Sequence, residues 1–155
     1  MRQFRRLLLY FFLFALSSTL AGERGARAQV VGGTLVGLRV KTSVRLDLTD
    51  NNALLLWFSK NEEVRIPYGK VNTLEYGQNV SRRYAAAVLI SPMLLLSKSH
   101  KHFVTLGYLD ADGKQQAVVL RVEKGDIRAV LTGLEARTGR RVEFQDDEAR
   151  KAGKG

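Results

Sequence analysis

The chain has 155 residues, enough for one modest domain, and its 45% hydrophobic and 26% charged residues are ordinary globular material. The absence of cysteine excludes a disulfide framework, thiolate metal sites, a cysteine nucleophile and the lipidated cysteine of a bacterial lipoprotein. The formal net charge is +10; the first 28 residues hold five Arg and one Glu, and without them the excess is +6, a moderate surplus that favours anionic surfaces without specifying one.

Arg2, Arg5 and Arg6 precede a wholly apolar run, Leu7 to Leu16, and Ser17, Ser18 and Thr19 follow it. A basic start, a short apolar middle and a small-residue end form the signature of a secretory signal peptide. The apolar run is short for a bilayer span, which needs about 20 residues. Ala26-Arg27-Ala28 offers a small-x-small cleavage site before Gln29, and Thr19-Leu20-Ala21 offers a second one. The expected layout is a leader over 1–28, a linker over 29–33, one domain over 34–144 and a polar tail over 145–155. The expected location is the periplasm or the extracellular space; the alternative is anchoring by an uncleaved N-terminal segment.

In the stretch 34–40, Leu38 and Val40 face one way and Arg39 and Lys41 the other. Val44, Leu46 and Leu48 alternate with Arg45, Asp47 and Thr49, the period-2 pattern of a strand. Asp50-Asn51-Asn52 supplies a turn. Ala53 to Phe58 is a near-continuous apolar run around Trp57, read as a strand buried on both faces. Val64, Ile66 and Tyr68 alternate again, and Pro67 with Gly69 marks a bend before Leu74 and Tyr76 resume the pattern.

The segment 80–101 is read as an apolar insertion. Arg82 and Arg83 lead into Tyr84-Ala-Ala-Ala-Val-Leu-Ile-Ser-Pro-Met-Leu-Leu-Leu-Ser97, and Lys98, His100, Lys101 and His102 follow. It reads as an insertion folded over one opening of a barrel, as a further pair of core strands, or as an apolar loop with basic shoulders that dips into a membrane interface. Strands resume over 103–108 and 116–122, with a hairpin at Asp110-Ala-Asp-Gly-Lys114 whose Gly113 supplies a positive φ. Ile127, Val130, Leu131 and Leu134 then recur at helical spacing. Asp126 is placed as the N-cap, Gly139 as the terminator, and Gly133 as a point of close approach to a sheet.

Short strands, tight turns and a closing amphipathic helix define a mainly β fold: a small curled antiparallel sheet, or partly open barrel, capped by one C-terminal helix. This element order resembles the pleckstrin-homology-like barrel from Thr34 to about Thr138. The combination of Ile66-Pro67-Tyr68, Leu74-Glu75-Tyr76-Gly77-Gln78, Arg82-Arg83, Ser97-Lys98 with His102, and Leu134-Glu135-Ala136-Arg137-Thr138-Gly139 is also similar to a group of exported bacterial proteins with no assigned activity. That second resemblance implies fold and export alone. Pleckstrin-homology domains often bind phosphoinositides through basic residues of the first hairpin, where Arg39, Lys41 and Arg45 lie here; no matching motif carries that activity over.

Catalytic signatures do not emerge. Gly-x-Ser-x-Gly and His-Glu-x-x-His do not occur, Gly32-Gly33 lacks the rest of a phosphate loop, and Asp110-Ala-Asp-Gly falls short of a calcium loop. His100 and His102 would share one face of a strand, but no third metal ligand is indicated and nearby cations disfavour cation binding. No cofactor is expected. Glu75 is expected to form an ion pair with Arg82 or Arg83. The reading is a non-enzymatic exported binding or scaffold module, with Glu75, Arg82, Arg83, Lys98, His100, Lys101 and His102 facing a protein or an anionic membrane surface. Nucleic acid is disfavoured because the basic residues do not interleave with aromatics. The alternative is a small carboxylate-based hydrolase or carbohydrate-active enzyme.

Overall fold

A central strand begins where the leader is expected to end. The computed structural model describes residues 25–35, 37–78 and 101–154, and its first element is β1, Ala26–Gly33. Residues 29–33, expected as a linker, are the second half of this strand, and residues 26–28 are its start. β1 escapes a periodicity reading for two reasons. Val30, Val31 and Gly32 are buried in succession, and the register shifts between Val30 and Gly32, which breaks the alternation.

The remaining strands are β2 (Ser43–Asp47), β3 (Ala53–Trp57), β4 (Glu63–Pro67), β5 (Val71–Gly77), β6 (His102–Leu109), β7 (Gln115–Val122) and the two-residue β8 (Glu143–Phe144). Helix α1 is Ile127–Thr138 and helix α2 is Asp147–Lys154. The strands form one sheet in the order β4-β3-β2-β1-β7-β6-β5-β8. All pairings are antiparallel except β5 with β8. The described residues between β1 and β2 form a connection, with Lys41 at φ 75°, in place of the strand pattern expected from 34 onward.

The sheet must curl. Six strand steps separate β4 from β5 in the sheet order, about 29 Å in a flat sheet at ~4.8 Å per step. Only the 3₁₀ turn Tyr68–Lys70 joins them in the chain, and Pro67 to Val71 spans at most about 14 Å fully extended. β4 and β5 do not pair, so the sheet is curled but not closed. Pro67 therefore ends β4 at the corner, where a missing N–H costs no ladder bond. Tyr68 is buried there, and its N–H donates to the Asn52 carbonyl at 2.9 Å.

Each hairpin has a local cause. Asp50 Oδ1 accepts from the N–H groups of Asn52 and Ala53 at 2.7 and 2.9 Å, which shapes the β2–β3 turn. Asp110 Oδ1 does the same for Asp112 and Lys114 at 3.0 and 2.8 Å, and Gly113 takes φ 77°. β3 is buried at Ala53, Leu54, Leu55 and Leu56, the two-faced burial its apolar run predicts.

Helix α1 buries the expected stripe, Ile127, Val130, Leu131 and Leu134, in the core with Leu46, Leu54, Ile66, Leu74, Leu106 and Leu120. A Cβ on Gly133 would come within 2.7 Å of Leu48 Cδ1, so the helix does approach the sheet closely at that glycine. Gly139 ends the helix at φ 66°, its N–H donating to the Glu135 carbonyl. Asp126 differs from expectation: its side chain caps nothing in α1, and its Oδ2 accepts instead from the Arg27 N–H at 3.3 Å. The expected solvated tail is also corrected. Helix α2 packs beside Tyr76, Phe144 and Leu131, with Ala149 fully buried.

Candidate functional site

Register builds a cationic surface that no single stretch of sequence displays. Arg27 on β1 stands opposite Arg45 on β2, and Gln29 stands between Ser43 on β2 and Arg121 on β7. Alternation sends these side chains to the face opposite Ala28, Val44 and Val122, which belong to the core. Glu123 and Lys124 follow β7, and Lys101 immediately precedes β6, which opens on His102. These elements together wall a concavity of about 530 Å³. Among the described residues, Arg27, Arg45, Lys101, Arg121 and Lys124 line it, with His102, against one carboxylate, Glu123.

Two contacts hold the cations in place. Arg27 Nη2 donates to Glu123 Oε2 at 3.0 Å, with both side chains well exposed. The Arg45 guanidinium lies 5.9 Å from the centroid of Trp57, a cation–π placement. Like charges directly opposite on neighbouring strands repel, so the Arg27–Arg45 pairing is a local cost that these contacts offset. An anion in the cleft would offset it further.

His102 is anchored from below. Its Nδ1 lies 2.5 Å from the hydroxyl of fully buried Tyr76, and the two rings stack at 11° with centroids 6.0 Å apart. Burial pushes the Tyr76 pKa above the ordinary tyrosine value, so the hydroxyl keeps its proton. The hydroxyl and Nδ1 share one hydrogen bond, in which the hydroxyl donates to a bare Nδ1 or accepts from Nδ1–H according to the tautomer. Phe144 also meets Tyr76 edge-on, 6.0 Å between centroids at 77°.

Of the residues singled out in the sequence, Lys101 and His102 line the cleft. Arg82, Arg83, Lys98 and His100 lie outside the described residues, and so do the apolar insertion, except for Lys101, and the expected Glu75 ion pair. Glu75 is buried on β5 and does not line the cleft. Its Oε1 accepts from Gln145 Nε2 at 3.1 Å, while Oε2 is buried without a hydrogen bond. Its register partners are Thr105 on β6 and Glu143 on β8.

Arg27, Arg121 and Lys124 were not legible as site residues in the sequence. Arg27 sits inside an apparent cleavage motif, and Arg121 reads as the ordinary solvent-facing position of an alternating strand. Arg45 was placed with Arg39 and Lys41 in the first hairpin, but it points into the cleft, away from that connection. Among the described residues, no three His, Asp or Glu side chains converge as a metal-ligand set, and no helix is long and apolar enough to cross a membrane.

The chain matches no protein-family model and no curated protein. The reading of function therefore rests on the residues themselves.

Proposed function

We propose that this protein is an exported, non-enzymatic binding module of the pleckstrin-homology-like kind that recognises an anionic partner through the basic cleft. One observation carries the reading: strands β1, β2, β6 and β7 and their flanking residues bring five cationic side chains and His102 around one concavity, with one carboxylate among the described lining residues. Arginine supplies three of the five cations, and its planar fork suits carboxylate and phosphate oxygens. The partner is an acidic protein segment or an anionic membrane surface. The leader-like N-terminus supports export.

Binding of the purified protein to anionic vesicles, neutral vesicles and polyglutamate, each at low salt and at roughly physiological 0.15 M, tests this reading. Salt-weakened binding to the anionic vesicles or to polyglutamate supports it, and the arm that binds tells membrane from protein. Equal binding to neutral and anionic vesicles, with none to polyglutamate, contradicts it.

The carboxylate-enzyme reading has one observation in its favour. Glu75, with a buried oxygen lacking a hydrogen bond, stands beside Glu143 on the neighbouring strand. It ranks second because those carboxylates sit outside the cleft. Hydrolysis of a glycoside panel that disappears in Glu75→Gln would move it to first.

A further inference from the structure

We propose that the leader is removed after Ala21 and not after Ala28, so that Arg27 and Ala28 stay in the exported protein as part of the fold and of the cleft. The inference rests on the reading of residues 7–16 as the apolar core of a signal peptide, and it chooses between two cleavage motifs that the sequence leaves open.

The choice follows from what residues 26–28 do in the folded chain. β1 is an interior strand with β2 on one side and β7 on the other. Ala26, Arg27 and Ala28 stand opposite Leu46, Arg45 and Val44 on β2, and Ala28 also stands opposite Val122 on β7. The Arg27 carbonyl accepts from the Glu123 N–H at 3.3 Å, and its N–H donates to Asp126 Oδ2, also at 3.3 Å. Ala28 is buried in the core cluster. The Arg27 side chain holds Glu123 and walls the cleft.

A cut after Ala28 removes all of these at once. It opens the ladder to β2 along three residues and the ladder to β7 at Ala28, and it strips their backbone groups of partners, each a group that is costly to leave unpaired when buried. It also places a new ammonium group on Gln29, between β2 and β7. A cut after Ala21 leaves β1 whole.

The sequence agrees with that choice. Thr19 and Ala21 stand close behind the apolar run, with the small side chains a cleavage site requires. The Ala28 site lies further on, past Glu23, Arg24 and Arg27. The mature chain then starts at Gly22, a few residues ahead of the strand.

The test is expression of the full chain in an exporting bacterial host, with intact mass and N-terminal sequence determined on the exported protein. A first residue of Gly22 is the expected result. A first residue of Gln29 overturns the proposal while leaving export and the leader in place. An intact Met1 overturns the proposal and the leader reading together, so the two failures are distinct. The substitution Ala21→Arg adds a second readout, because residue 21 lies ahead of the strand. It should convert the processed product to accumulated full-length precursor. Unchanged processing in that variant, with release at Gln29, overturns the proposal.

Discussion

Arg27 and Arg45 face each other directly across β1 and β2, two cations in register on one face of the sheet. Arg27 donates to the Glu123 carboxylate at 3.0 Å, and the Arg45 guanidinium lies 5.9 Å from the centroid of Trp57. Opposed like charges cost, and an exposed ion pair contributes, similar amounts of roughly 0.2–1 kcal/mol. Arg27→Gln removes both, so its stability should change by less than about 1 kcal/mol. Glu123→Gln removes only the attraction and should be the more destabilising of the two. Thermal unfolding of both variants at low salt checks the order, and high salt should bring them together.

Tyr76 joins the cleft to the C-terminal helix. It holds His102 through its hydroxyl, and a Cβ on Gly153 of α2 would meet its Cε1 at 3.2 Å and Phe144 Cε1 at 2.8 Å. Tyr76→Phe should cost about 1 kcal/mol for the lost hydrogen bond, and Tyr76→Ala about 3–5 kcal/mol through cavity formation. Gly153→Leu should lower the melting temperature by displacing α2. Denaturant unfolding of the three variants gives these values. A chain that loses nothing on Gly153→Leu would show α2 to be undocked.

Gly77 leaves room for the side chain of Gln145, which a Cβ at that position would overlap. Gln145 is the residue that donates to buried Glu75. Gly77→Ala should therefore cost about 1–3 kcal/mol through overpacking and displacement of this contact. In a Gln145→Ala background the same substitution should cost clearly less. A double-mutant cycle measures the difference directly.

Three buried tyrosines, Tyr68, Tyr76 and Tyr108, have pKa values raised by burial above the ordinary value of about 10. The folded state holds these protons more tightly than the unfolded chain. Their contribution is thus fully present below about pH 10 and is lost as pH rises through the folded-state values. Stability should fall above about pH 10, and tyrosine ionisation followed by ultraviolet absorbance should track the loss of far-ultraviolet circular dichroism. Phenolate formation well before unfolding would contradict the burial of these hydroxyls.

The curled, mainly β architecture was legible because its signals are local. Val44 with Leu46, Ala53 to Leu56, and the stripe from Ile127 to Leu134 each declare their period within a few residues. Pro67 and Gly69 declare the corner. β1 was not legible, since Ala, Gly and a bulge leave no alternation and Ala26-Arg27-Ala28 imitates a cleavage site. Helix α2 was missed because its buried contacts come from Ala149 and Gly153, residues that add almost nothing to an apolar stripe. The cleft was hidden for a third reason. Arg27, Arg45 and Arg121 come together through the pairing of β1 with β2 and β7, which brings together positions up to 94 residues apart, and Lys101 joins them from the residue before β6.

The central claim is that this cleft recognises an anionic partner. The most direct measurement compares the wild type with the variant Arg27→Gln, Arg121→Gln, Lys124→Gln for binding to anionic vesicles and polyglutamate at low salt, after circular dichroism has shown both to be folded. The wild type should bind at least one of these anionic probes, and the variant should fall to the level seen with neutral vesicles. Equal binding by the two proteins would contradict the assignment of recognition to the cleft.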